Sequence, residues 1–554
     1  MKQIFKPVTM ILIAFSIWIT WVCASLLQFD TTGNLIAHSY SIWGDWSAHF
    51  TFINALRERG FHWIAGDNPL FPGTPFQYPF LSHVITYFFS RITFQDTIHA
   101  TYSLSLILIF AFPFTLYAVL RKLTLSTWGS LASTLAFLLI GGFQWMDSSL
   151  KATEPLTNQF DSASLFTQFI LFEFFPQRAF LFGILIFLGA AIYAFQTKVW
   201  TAKRKLGLGT VLSLTALLHI HTWIAIGTAL VFLCIFPPFD SKRITRKAIF
   251  IFGAGIAAVS AAFLYFLLLR GDASSSRLSW TLWYPGWAQN PDTHLTRANE
   301  MNFFSFWIFN TGIYLPLALY GIWLKRKERL FQAIAASGVL IFLVAELFNI
   351  QPYFYDNLKL FTYSFLFLCP FVGIALESIA GIAKLPRFVG AAIAGMLLAL
   401  QISSGAMDLH SFQEGIQNTR FFSSEEFEMA EKFKTLRTSP EDIVLITPRH
   451  NHWVPCLTGN PVAMGFQGWL WSWGISYGAR EKQILTVLTG NSESDHLIQS
   501  LNIAYAAIEQ GEKLSGQAVN FAYFDSHFKK IMSSGQWSVY SLKDRLTSPT
   551  SSVR

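Results

Sequence analysis

The sequence predicts a polytopic α-helical membrane protein of about eleven spans carrying a C-terminal α/β domain. Three observations lead there. Of the 554 residues, 53% are hydrophobic and 13% charged, whereas an average soluble domain is about 25% charged. The apolar residues gather in runs close to the ~20 that cross a bilayer. From Met407 onward the composition turns polar, and short helical and strand patterns alternate. The formal net charge of +8 sits in basic clusters between apolar runs, which is loop bias rather than a nucleic-acid footprint. No nucleic-acid partner is expected. The four cysteines, Cys23, Cys234, Cys369 and Cys456, lack metal-ligand spacing. Three of them lie in apolar runs, so no disulfide framework is expected.

Taken in order, Lys2 and Lys6 precede a first run at residues 8–27, read as a retained span with a cytoplasmic N-terminus. The next stretch, residues 44–83, is polar and rich in turn residues, and falls outside. Asp45 and His49 share one face if residues 45–59 are helical. Residues 80–94 form a short apolar run with Ser82 and His83, expected to lie at the interface rather than to cross. Spans follow at 97–120, 125–143 and 178–196, with Arg121 and Lys122 inside. The segment 206–236 lies between two basic clusters, so a hairpin with its tip at His219, Ile220 and His221 keeps both inside. Further spans are expected at 248–269, 303–324, 330–348, 358–379 and 388–405, with a Trp-rich outer loop at 270–302. The polar C-terminal part is expected to hold helices at 424–436 and 481–488, and strands at 443–447, 503–508 and 537–542. This gives a membrane module at 1–406, with its first outer loop at about 29–96, and an outer α/β domain at 407–554.

That topology puts isolated polar residues toward the outer face: Asp45, His49, Asp67, Glu173, Arg178, His219, His221, Asp356 and Lys359. Each alone reads equally well as an interfacial anchor or a structural ion pair. Together they describe an aqueous site, because charges within a bilayer gather around cavities. Asp45 suits a general base acting on an acceptor hydroxyl or amine. Asp67, in DNPLFPG, reads first as a turn acid. Arg178, in FFPQRAF, can bind a phosphate bidentately or snorkel to the interface. Lys359, in YDNLKLF, can act similarly or simply pair with Asp356. His219 and His221 point about 200° apart on a continuous helix, so they could share a divalent metal only where the helix breaks. His450 and His452 follow a strand, and Trp469 and Trp471 lie in the Trp-rich loop beyond. That loop can stack on an acceptor sugar, dip into headgroups, or dock the domain. No nucleotide-loop, zinc-protease or hydrolase-elbow pattern occurs at a credible position.

The arrangement resembles the GT-C superfamily of membrane glycosyltransferases, which includes protein O-mannosyltransferases and lipid A aminoarabinose transferases. The resemblance rests on GDWSAHF with Asp45, NPLFPGTPFQYPFLSH, PQRAF with Arg178, LHIHTW and YDNLKLF. The stretch HNHWVPCLTGNPVAMGFQGWLWSWG is similar to the outer domain of a bacterial branch of these enzymes. No DxD or WWDYG signature is present, so neither the metal nor the asparagine acceptor of oligosaccharyltransferases carries over. The resemblance implies a GT-C-like fold in a bacterial inner membrane and a polyprenyl-phosphate sugar donor. It implies inverting transfer on the outer face, with Asp45 as base and with Arg178 and Lys359 on the leaving phosphate. The remaining site residues would bind substrate. No cofactor is required, a divalent metal is left open, and the acceptor is a glycan, lipid or protein. The competing readings are a flippase of lipid-linked sugars and a non-catalytic envelope-assembly protein.

Overall fold

A computed structural model describes residues 5–151, 153–159, 164, 168–196, 201–237, 253–258, 260–261, 279–280, 301–350, 353–382, 386–415 and 417–545. The chain divides into two compact units. The first comprises residues 1–26, 103–266 and 277–418, and the second residues 27–102, 267–276 and 419–554. The expected boundary at 406/407 falls inside a continuous helix, Arg387–Gln413. The first outer loop belongs to the same unit as the C-terminal domain.

The first unit is helical. Six described helices are long and apolar enough to cross a membrane: Pro7–Ser25, Thr97–Lys122, Arg178–Gln196, Arg329–Leu347, Tyr355–Ala380 and Arg387–Gln413. The last turn of Thr97–Lys122 carries Arg121 and Lys122. The Leu358–Ala380 helix forms the centre of the unit and is buried along most of its length. Helices Thr127–Leu138, Tyr314–Lys325 and Arg329–Leu347 pack around it. Their approach depends on small residues. A Cβ on Gly321 would meet the Phe371 carbonyl oxygen at 2.1 Å, and one on Gly373 would meet that of Gly129 at 2.4 Å. Such contacts let helix backbones close where no hydrophobic effect drives them together.

Among the described residues the count is below the expected eleven or so, for identifiable reasons. The expected span at 303–324 is two helices, Phe303–Thr311 and Tyr314–Lys325, bent by 96°. The bend sits at Gly312, whose φ of +59° suits glycine; counted as one broken span, the pair makes seven. Thr127–Leu138 has 12 residues, short of a crossing. The expected span at 248–269 and outer loop at 270–302 lie mostly outside the described residues, which here are 253–258, 260–261, 279–280 and 301–302. Residues 206–236 fall in two helices, Ala202–Leu218 and Ile220–Ile235, broken at His219 in an extended conformation. Leu208 and Leu212 share one cluster with Leu230 and Ile226, pairs equally distant from His219 along the chain. The two helices therefore run back along each other as the expected hairpin.

The second unit is mixed. Strands Leu27–Phe29, Leu35–Ala37 and Thr419–Phe422 make an antiparallel sheet. The helix Tyr40–Arg59 is longer than expected at its start. It is tied to the segment Val454–Thr458: Asn54 Nδ2 donates to the Cys456 carbonyl at 2.6 Å, and Glu58 pairs with Arg437 at 2.7 Å. Leu81–Thr93 is the expected short helix; it buries Ser82, His83, Thr86 and Ser90 while exposing Phe88 and Ile92. Beyond Thr419 come the helix Ser424–Leu436, opened by a Ser423–Glu426 capping box, and the helix Gly478–Thr489. The sheet orders Phe528–Ser534, Trp537–Arg545, Ile503–Glu509 and Ile443–Leu445, with only the last pair parallel. Its expected members fall within a few residues of their positions. Phe528–Ser534 was not anticipated, because Lys529 and Lys530 break its apolar pattern.

Candidate functional site

In the first unit, four helices bring polar side chains into one buried cluster. Arg178 opens the helix Arg178–Gln196 and is fully buried. Its Nε donates to Ser105 Oγ at 2.9 Å, and its guanidinium lies 5.9 Å from the Phe182 ring centre. Phe180, two residues on, stacks against His219 at 4.7 Å between ring centres. Gly183 makes this approach possible: a Cβ there would lie 2.1 Å from Thr222 Oγ1. The break at His219 is thus seated against the start of the Arg178 helix.

Hydrogen bonding defines the imidazole. His219 Nδ1 lies 2.9 Å from Thr222 Oγ1, and the Thr222 hydroxyl bonds to the Tyr363 hydroxyl. If Tyr363 donates to Thr222 and Thr222 donates to Nδ1, the proton of neutral His219 rests on Nε2. That Nε2 is buried with no hydrogen-bond partner among the described residues. A buried orphan donor marks a place where a ligand completes the bonding. The His221 ring lies 5.1 Å from that of His219, and the charge of Lys359 reaches both imidazoles. Lys359 starts the Leu358–Ala380 helix and pairs with Asp356 at 2.5 Å. The sum is a donor-rich cluster with two basic side chains, one of them paired with Asp356, whose donors suit a phosphate. Thr222→Val keeps the shape and removes the bond that sets the tautomer. It is expected to raise the KM for an anionic donor about tenfold, the worth of one hydrogen bond to a charged group, with kcat less affected.

A divalent metal fits these residues poorly. Among the described residues no group of three or more His, Cys, Asp or Glu side chains could hold one. His219 Nδ1 is already engaged, and the nearby charge of Lys359 opposes a second cation.

In the second unit, Asp45 lies in the second turn of the helix Tyr40–Arg59 and is half-buried. A Cβ on the adjacent Gly44 would meet nothing within 4 Å, so open space lies beside it. One turn on, buried His49 places Nδ1 2.8 Å from Nε2 of His83 on the Leu81–Thr93 helix. Asp67 is exposed and accepts the Gly73 amide at 3.0 Å, holding the turn between Asp67–Asn68 and Phe71–Pro75. His450 sits among Trp43, Phe466 and Trp469, with ring centres at 4.7, 3.6 and 5.4 Å. Trp471 is exposed, whereas His452 is fully buried and takes the Val454 amide on Nδ1 at 3.2 Å. Burial holds the His450 pKa down at about 4, against about 6.5 in an unfolded chain. Between those values the unfolded chain binds a proton that the fold refuses, so stability is lost as the pH is lowered through the window. The slope is at most about 1.4 kcal/mol per pH unit. Thermal melting from pH 7 to pH 4 should show a shallower decline in His450→Gln than in the parent.

The structure therefore brings Arg178, His219, His221, Asp356 and Lys359 together in one unit, and Asp45 and His49 on one helix face in the other. Ser105, Thr222, Tyr363 and His83 were not singled out by the sequence reading. Tyr363 follows Lys359 by one helical turn, and Thr222 follows His221 directly, so both had a local signal. Ser105 is 73 residues from its partner and had none.

The fold is similar to those of two glycosyltransferases of known structure. The arabinofuranosyltransferase AftD from mycobacteria matches with a TM-score of 0.58 and 11% identity, over 96% of this chain and 39% of that one. The oligosaccharyltransferase of Archaeoglobus fulgidus, solved with a tethered acceptor peptide, matches with a TM-score of 0.53 and 11% identity, over 90% and 69%. The same archaeal enzyme, AglB, bound to an inhibitory peptide and a dolichol-phosphate, gives a TM-score of 0.50 and 10% identity. Both are GT-C membrane glycosyltransferases. No protein-family model and no curated protein matches the sequence. At these identities the likeness establishes the fold, and the chain spans about two-fifths of AftD.

Proposed function

We propose that the chain is an inverting glycosyltransferase that moves a sugar from a polyprenyl-phosphate donor to an acceptor on the outer face of a bacterial inner membrane. The observation that carries this reading is the orphaned His219 Nε2, buried beside Thr222 and Tyr363 with the half-buried Lys359 nearby, in a membrane unit whose sequence shows no nucleotide motif. A lipid phosphate is an anion that reaches such a place from the bilayer. The dolichol-phosphate bound by AglB supports the same ligand chemistry.

In this mechanism the acceptor hydroxyl or amine attacks the anomeric carbon, and its proton passes to the Asp45 carboxylate. The bond between that carbon and the phosphate oxygen breaks, with its electron pair staying on the phosphate. Arg178, Lys359 and His219 stabilise the charge that develops there. Asp45 is half-buried with open space beside Gly44, a setting that suits a base, and His49 follows one turn along the same helix. The exposed Trp471 and the Trp469–His450 group offer flat faces for an acceptor sugar. Both Asp45 and these aromatic groups belong to the second unit.

The test is direct. Purified full-length protein given polyprenyl-phosphate sugar should release free polyprenyl phosphate. Movement of the intact lipid-linked sugar between leaflets, with no release, would instead identify a flippase.

A further inference from the structure

Away from the polar cluster, the first unit carries a groove of about 720 Å³ between the helices Arg178–Gln196 and Ala202–Leu218. Its walls are apolar or bare: Gly189 and Ala190 on one side, Gly207 and Val211 on the other. The two glycines make the space. A Cβ on either would meet nothing within 4 Å. Lys203 and Arg204 line one end. Lys205 follows them along the chain.

The groove is separate from the proposed donor phosphate site. His219 ends the helix that Lys203 and Arg204 begin, and fifteen residues of helix from Arg204 to His219 span about 22 Å. The two basic regions therefore sit at opposite ends of one helix, most of a bilayer's hydrocarbon thickness apart. A donor phosphate at the His219 end cannot also meet Lys203 and Arg204.

We propose that this groove binds an anionic phospholipid, with its headgroup phosphate held by Lys203 and Arg204 and an acyl chain lying over Gly189 and Gly207. Charge complementarity selects the headgroup. A basic rim on an apolar groove between membrane helices is how proteins retain acidic lipids from the leaflet at that level. The lipid fills space between the hairpin and the Arg178 helix, the same two elements that hold His219 against Phe180. It belongs to the leaflet opposite the donor's phosphate.

Native mass spectrometry of the full chain in neutral detergent tests this, with dioleoylphosphatidylglycerol and dioleoylphosphatidylcholine as probes. The parent protein is expected to retain phosphatidylglycerol at least tenfold better than phosphatidylcholine. Lys203→Gln with Arg204→Gln should remove that preference. Lys325→Gln with Arg326→Gln, a basic pair outside the groove, should leave it intact. Gly207→Trp fills the groove without weakening the helix, since glycine is the poorer helix former; it should lower retention of phosphatidylglycerol by a similar factor. Equal retention of the two lipids by the parent, or equal loss in both double variants, would overturn the proposal. So would release of phosphatidylglycerol by millimolar inorganic phosphate, which would mean that the groove contributes nothing. Because the readout is lipid retention, failure here leaves the glycosyltransferase assay to stand or fall separately.

Discussion

Asp45→Asn is expected to reduce release of polyprenyl phosphate by roughly 10²–10⁴-fold, the usual contribution of a positioned general base. Asparagine matches aspartate in shape but cannot take the acceptor proton at neutral pH. The loss should therefore appear in kcat, with donor binding unchanged. Asp45 is half-buried, and its helix is also held at Asn54 with Cys456 and at Glu58 with Arg437, so a melting curve of the variant separates loss of chemistry from loss of fold. The melting temperature of the variant should stay close to that of the parent. Asp45→Glu separates chemistry from position. It keeps the carboxylate but displaces it by about one methylene, and misplacement near 1 Å can cost ~10²-fold. Full activity in Asp45→Asn would remove this residue from the mechanism and turn attention to His49 and His83, the buried imidazole pair one turn along.

Much of the architecture was legible because its causes are local. The hairpin at 206–236 followed from charge: two basic clusters flanking about 30 apolar residues cannot both stay on one side of a single crossing. The C-terminal helices and strands followed from the alternation of short helical and strand patterns in a polar stretch. Non-local features were not legible. The fold of the 303–324 segment turns on the backbone of Gly312, and a lone glycine in an apolar run does not announce a 96° bend. The joining of residues 27–102 with 419–554 depends on contacts such as Asn54 with Cys456, 402 residues apart. At the site, the charged residues were visible as anomalies in greasy surroundings. The neutral groups that orient them, Ser105, Thr222 and Tyr363, look like ordinary helix residues until packing brings them together. Asp67 shows the reverse: a conspicuous acid whose bond to the Gly73 amide is that of a turn.

Arg178→Gln is the second large effect expected, a loss of roughly 10²–10³-fold in kcat, comparable with removal of one preorganised donor to a developing oxyanion. Arg178→Lys restores the charge but not the planar fork, and should recover only part of the rate. Burial complicates this experiment more than that on Asp45, because a fully buried arginine also fills space. Ser105→Ala resolves the ambiguity. It removes the hydroxyl that holds Arg178 Nε at 2.9 Å while leaving the guanidinium and its packing on Phe182 in place. If Arg178 acts on the leaving phosphate, loosening it should cost about tenfold in rate, the scale of one hydrogen bond to a charged group, with little change in melting temperature. If Arg178 is only structural, Ser105→Ala should lower the melting temperature while sparing kcat. The ratio of rate loss to stability loss across Arg178→Gln, Arg178→Lys and Ser105→Ala thus distinguishes an electrostatic catalyst from a buried strut.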